Sequence, residues 1–182
     1  MDTTILKNVL SSKISPALHH DEKTKLASVL VIIYGVEPKL LMIEKSKKLN
    51  THAGEIAFPG GKWIDTDHDL LETALRETKE EIGLNLSRDK VIGQLDNVRT
   101  LNSGFNITPF VTIMNDIPQL TADGEVETIL HIPMVPFLQT LADDPDPNHN
   151  LIQEMYTFTY KDKIVWGASA RILKQILNRL KS

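Results

Sequence analysis

Apolar and polar positions follow two periods along this chain, and the switches between them mark its elements. Residues 26–34 (LASVLVIIY) are β-branched and almost continuously apolar, the pattern of a buried strand. Residues 35–38 read as a turn, and residues 39–44 as a second strand forming a hairpin with the first. A basic loop at 45–51 and a short strand at 56–58 lead into the turn Pro59-Gly60-Gly61. The period then lengthens. Over residues 69–83, Leu71, Leu75, Thr78 and Ile82 fall on one helical stripe, Asp67 or Asp69 can cap the start, and Gly83 suits the stop.

Residues 91–99 and 107–114 return to strand periodicity, separated by a turn-rich stretch at 101–105. An acidic loop at 121–127, a strand at 129–132, a short helix at 135–141 and a polar loop at 143–150 follow. Residues 155–160 and 163–166 form a second hairpin, and residues 168–180 a closing amphipathic helix. At the front, residues 2–12 read as a short helix and 14–26 as a polar connection. A mixed sheet with a central and a closing helix predicts one α/β domain over 1–182, with no repeat and no linker.

Composition changes this picture in three places. The chain of 182 residues is 41% hydrophobic and 24% charged, ordinary for a globular protein, and no apolar run approaches a membrane span. Cysteine is absent, which excludes disulfides, thiolate zinc sites and a cysteine nucleophile and fits a cytoplasmic protein. A formal charge of −4 argues against broad nucleic-acid binding, but not against an anionic small molecule held through a divalent cation.

The candidate chemistry sits on the central helix. Glu77, Glu80 and Glu81 lie at about 0°, 300° and 40° around its axis, so the three carboxylates share one face. Like charges so placed repel by roughly 0.2–0.5 kcal/mol per pair, and a bound cation would reverse the sign. Hard oxygen ligands suit Mg²⁺ or Mn²⁺ completed by waters and substrate phosphates. Arg76, four residues before Glu80, can hold that carboxylate, and Gly60-Gly61 lets backbone approach closely. An isolated E-x-x-E-E is usually a solvated acidic face; the glycine pair, the arginine and Gly83 around this one argue for a site.

Residues 61–84 resemble the Nudix box, G-x5-E-x7-R-E-U-x-E-E-x-G-U, in which U is a bulky aliphatic residue. Arg76, Glu77, Glu80, Glu81, Gly83 and Leu84 match; Asp67 replaces the first Glu, Thr78 replaces an aliphatic residue, and eight residues rather than seven separate Asp67 from Arg76. The longer gap resembles the coenzyme A diphosphatase-like branch, with G-G-x-x-D-x-x-D before T-A-L-R-E; here one more residue precedes the first Asp. HAGEIAFPGG (52–61), NITPFV (106–111) and VWGASARIL (165–173) resemble other stretches of that branch. The resemblance covers about residues 27–180. Residues 1–26 stand outside it as an N-terminal extension to which the sequence gives no role.

The resemblance implies a Nudix-type α/β/α sandwich with a mixed β-sheet, and Mg²⁺- or Mn²⁺-dependent hydrolysis of a nucleoside diphosphate linked to another group. Glu77 and Glu81 would be the main metal ligands, Glu80 a further ligand or the activator of water, and the Gly61 carbonyl a completing ligand; Glu125, in the late acidic loop, is a second candidate base. The metal would neutralise the diphosphate and help a water attack phosphorus in line. For substrate contacts the candidates are Lys45, Lys47 and Lys48 as an anion funnel, His52, Arg99 as a phosphate clamp and Phe105 as a stacking platform. Each has a plainer reading as loop, surface or core residue. Trp166 and Arg171 are expected to hold the last helix on the sheet. Asn50 stands where the branch signature has Arg, and lysine is no equivalent for bidentate phosphate recognition. Asn50 thus counts against coenzyme A, which leads as substrate on the branch resemblance alone, with NADH or ADP-ribose and a non-catalytic nucleotide sensor as alternatives. A small-molecule partner is expected, no nucleic acid or membrane, and a homodimer stays open.

Overall fold

The continuously apolar run is strand β1 (Lys25–Tyr34), buried on both faces. Leu30 and Ile32 point to one side, Val31 and Ile33 to the other, and all four are fully covered. The computed structural model describes residues 3–18, 24–101, 103–144 and 155–182. As predicted, β2 (Lys39–Lys45) pairs antiparallel with β1, but only over Tyr34↔Lys39 to Ile32↔Leu41. Beyond that point the two strands part. The gap is filled by the glycine-proline turn: β3 (Ile56–Ala57) pairs with β2, and β4 (Gly60–Lys62) with β1. Between them the Pro59 carbonyl accepts from the Leu30 N–H at 2.8 Å.

The stretch 60–62 thus corrects the expectation of a bare turn, because its glycine backbone also joins the ladder. Helix α2 (Leu70–Ile82) begins where Asp69 accepts from the Glu72 N–H and ends at Gly83, whose φ of 72° is left-handed. After a 3-10 turn at Arg88–Lys90, the strand predicted over 91–99 is two pieces, β5 (Val91–Gln94) and β6 (Val98–Arg99). Both pair with β7 (Phe105–Met114), which carries Pro109 opposite the break. Proline has no N–H for the ladder. The Asp96 carbonyl accepts instead from the Gln175 side-chain amide at 3.0 Å, and the Asp96 N–H donates to the same side chain at 2.9 Å.

Strand β8 (Val126–Pro133) is longer at both ends than the predicted 129–132, since it pairs along all of β2. Helix α3 (Met134–Leu138) falls short of 141. The predicted polar loop at 143–150 is entered by a short strand β9 (Ala142–Asp143); residues 145–150 of it lie outside the described residues. β9 pairs with β10 (Tyr156–Tyr160), which forms the expected hairpin with β11 (Lys163–Val165), and α4 (Gly167–Lys181) closes the chain.

The large sheet runs β3-β2-β1-β7-β5, with β1 and β7 parallel and the remaining neighbours antiparallel. Leu70, Leu71, Ala74 and Ile82 of α2 cover one face with Leu30, Ile32, Leu41 and Phe110. The other face is covered by α4 (Ala170, Ile172, Leu173, Ile176) and by α1 (Thr3–Leu10), whose Leu6 and Leu10 are fully buried. The result is the mixed-sheet α/β/α sandwich. Part of the N-terminal extension belongs to its core, and the segment after α1 continues along the sheet edge: Ser12 bonds the backbone of Ile92 and Gln94. Among the described residues no helix is long and apolar enough to cross a membrane.

Candidate active site

The parting of β1 and β2 lets the Gly60–Gly61 backbone lie against α2. The Gly60 N–H donates to Glu81 Oε2 at 2.8 Å, and a Cβ at Gly61 would meet the Glu77 carboxylate at 2.3–2.5 Å. Lys45 shares the α2-facing side of β2 with Leu41 and Ile43, and its Nζ stands 3.8 Å from Glu81 Oε1. The helix face deduced from spacing is therefore graded from inside to outside: side-chain exposure is 6% at Glu81, 20% at Glu77 and 56% at Glu80.

Arg76 organises the outer part of this face. Its Nε and Nη2 make a bidentate pair with Asp67 at 2.8 and 2.9 Å, while Nη1 reaches Glu77 at 2.9 Å and Glu80 at 3.0 Å. Asp67 also accepts from Thr73 Oγ1 and the Ile64 N–H. Asp67 thus anchors the arginine two turns into the helix, leaving the cap to Asp69. The sequence offered both aspartates as caps; only Asp69 serves.

Charge is unevenly tolerated here. Burial pushes the Glu81 carboxyl up to about 7, against the pull of the Lys45 ammonium and the Gly60 N–H, with Glu77 and Asp123 adding to the rise. Glu77 is raised as well, by burial first, with Arg76 opposing and Glu80 adding. Asp67 is pushed up by burial, but hydrogen bonds from Arg76 and Thr73 outweigh this and hold it below the usual carboxylate range.

Glu77 and Glu81 present hard oxygens with little solvent around them, one helical turn apart. Among the described residues no three His, Asp or Glu side chains converge as a ready cage. That donor set suits Mg²⁺ or Mn²⁺, which commonly take one or two carboxylates and complete their shell with water and phosphate oxygens. The residues fit the group.

Behind Gly60 and Gly61, on the α4 side of the sheet, opens a cleft of about 310 Å³. Its lining includes Lys45, His52, Lys62, Phe105, Trp166 and Arg171. Of the residues singled out from sequence, Lys45, His52, Gly61 and Phe105 are thus brought together. Lys48, Arg99 and Glu125 are exposed and outside this lining. The Arg99 carbonyl accepts from Arg171 Nη2 at 2.7 Å, tying α4 to β6, and the Glu125 carbonyl accepts from the Ser46 N–H at 2.8 Å. His52 has φ 60° and contacts Glu55 at 2.9 Å. Sequence reasoning passed over Lys62, Glu55 and Asp123. Lys62 could have been found from alternation, since two residues past Gly60 in a strand it must share that residue's face.

A NUDIX domain family model matches residues 24–155. The uncharacterised Nudix hydrolase NudL of Yersinia enterocolitica is 33% identical over 164 residues, covering 85% of this chain and 80% of that protein. NudL of Yersinia pestis is 33% identical over 158 residues, covering 85% and 79%. Among solved structures, a MutT/nudix family protein from Enterococcus faecalis superposes with a TM-score of 0.63 at 17% identity, over 91% of this chain and 65% of that one. The NUDIX domain of Shewanella oneidensis NrtR, complexed with ADP ribose, does so with a TM-score of 0.59 at 17% identity, over 89% and 94%.

Proposed function

The chain belongs to the Nudix family, whose members are hydrolases of pyrophosphate bonds, and from that premise we propose that it cleaves coenzyme A or its derivatives to adenosine 3′,5′-bisphosphate and 4′-phosphopantetheine. The observation that carries this is the placing of two poorly solvated carboxylates, Glu77 and Glu81, directly behind a glycine-floored cleft with Lys45 at its edge. Glu77 and Glu81 would hold Mg²⁺ or Mn²⁺, with Glu80 and the Gly61 carbonyl as further ligands. Bound there, the metal supplies charge neutralisation for the diphosphate and acidifies a water for in-line attack.

The remaining work falls to the chain. Arg76, fixed by Asp67, holds Glu77 and Glu80 in place. The exposure of Glu80 supports it as the group that takes the proton and passes it to solvent, with Glu125 as the second candidate. Lys45 offsets phosphate charge beside Glu81. Phe105, Trp166, Met155 and Ile172 offer apolar wall to the long arm of coenzyme A.

Asn50, in place of the branch arginine, favours a second reading in which ADP-ribose or NADH is the substrate; the NrtR domain is complexed with ADP ribose. All three glutamates remain, which argues against a sensor that has lost catalysis. The test is incubation of the purified protein and Mg²⁺ with coenzyme A, NADH, ADP-ribose and dinucleoside polyphosphates, with products identified by mass. Coenzyme A turnover to the two named products is expected. Faster turnover of ADP-ribose or NADH would replace that substrate, and binding without turnover of any diphosphate would favour the sensor.

A further inference from the structure

Three strand ends meet on the cleft side of the sheet, away from the carboxylates. Lys25 opens β1, Phe105 opens β7 directly beside it in parallel register, and Lys62 ends β4 opposite Ala27. Lys25, Ala27 and Val29 share one face of β1, the face that the cleft opens on. The ammonium groups of Lys25 and Lys62 each lie 5.6 Å from the centroid of the Phe105 ring. Their separation is therefore at most twice that distance. Lys25 Nζ donates to the Ser103 carbonyl at 3.2 Å, and neither ammonium is within ion-pair reach of a carboxylate among the described residues.

Two like charges drawn to one aromatic ring are a poor arrangement for stability alone, since each raises the local potential the other must face. An anion lying between them removes that conflict. The ring offers a flat apolar surface beside the same point, so the trio suits a group that is aromatic at one end and doubly anionic at the other. Its position also separates it from the hydrolytic centre. Gly60, whose N–H holds Glu81, pairs with Val29, and Lys25 lies four residues back along β1, about 13 Å at strand rise.

We propose that Lys25, Lys62 and Phe105 form a second anion subsite, which receives a phosphate monoester on the substrate's ribose while the base packs against Phe105. The inference deepens the diphosphatase reading and rests on it. It assigns substrate preference to a ribose phosphate remote from the bond that breaks, which in the proposed substrate, coenzyme A, is the 3′-phosphate. Lys25 and Lys62 are then specificity residues rather than parts of the hydrolytic machinery.

Calorimetric binding to the full-length protein tests this without turnover, with adenosine 3′,5′-bisphosphate, adenosine 2′,5′-bisphosphate and 5′-AMP as probes. The expected result is at least tenfold tighter binding of the 3′,5′-bisphosphate than of 5′-AMP. Lys25→Gln and Lys62→Gln should each bring that ratio below about threefold, and Lys25→Arg should restore it. Equal binding of the 3′,5′-bisphosphate and 5′-AMP by the unaltered protein, or an unchanged ratio in both glutamine variants, would overturn the subsite. Tighter binding of the 2′,5′-bisphosphate would overturn the 3′ assignment. Failure to cleave coenzyme A while the binding ratio holds would overturn the substrate reading and leave the subsite standing, so the two outcomes are distinguishable.

Discussion

Glu81 is where burial and charge conflict most. Its carboxyl is pushed up to about 7 from an ordinary 4.5, so the folded chain holds a proton that the unfolded chain releases between those values. The resulting stability is fully present below about pH 4.5 and is lost as pH rises through about 7, on the order of 2–4 kcal/mol. Urea titrations of the metal-free protein should therefore show falling stability across that window. Glu81→Gln should flatten the slope, because the amide keeps an acceptor for Gly60 and carries no charge. The same variant should lower kcat by orders of magnitude; near-normal activity would remove Glu81 from the metal-ligand set. Mg²⁺ needs the ionised carboxylate, so its affinity should rise with pH through about 7. At Gly61, an added Cβ would meet the far end of a flexible glutamate rather than backbone. Gly61→Ala should accordingly fold and displace Glu77, lowering kcat roughly 10²-fold, as misplacement of about 1 Å does.

Among the elements, α1 is the one whose contribution the sequence least announced. Leu6 and Leu10 are fully buried beside α4 and the sheet, so Leu10→Ala should destabilise by about 2–5 kcal/mol in chemical unfolding, with kcat little changed. The long apolar strand and the capped helix were legible because one physical signal dominates each: continuous burial in β1, and period plus Asp69 and Gly83 in α2. Other elements were hidden by competing signals. Gly60-Gly61 reads as a turn until the gap between β1 and β2 gives its backbone partners. The break at 95–97 lies opposite Pro109, which offers no N–H, and Asp96 bonds Gln175 on both its N–H and its carbonyl; both partners are distant in sequence. The site was legible to the same degree. Spacing placed three carboxylates on one face, but their grading from buried to exposed depends on how the turn lies against the helix. Periodicity within α2 carries no trace of that, and Lys62 went unseen because β4 did.

Taken as a whole, an acidic molecule with a formal charge of −4 lines one cleft with Lys45 and Lys62 and sets Lys25 beside that cleft's Phe105. Net charge alone argues against broad nucleic-acid binding and carries no trace of this local excess of cations. The parted strands have a further consequence. Beyond their short shared ladder, β1 and β2 bond to the inserted turn: Leu30 N–H to Pro59, and Lys45 N–H to Glu55 at 2.9 Å. The flanking strands keep their ladders with β7 and β8, whereas the insert is seated by these bonds and by the burial of Ile56 and Phe58, so its opening is expected to cost less than unfolding the sandwich. Amide hydrogen exchange separates the two openings. The Leu30 and Lys45 amides should exchange faster than those of Ile32 and Ile33, and should slow selectively when Mg²⁺ and adenosine 3′,5′-bisphosphate are added. Uniform exchange along β1 would mean that the insert and the fold open together, and that this protein can lose its catalytic geometry only by unfolding.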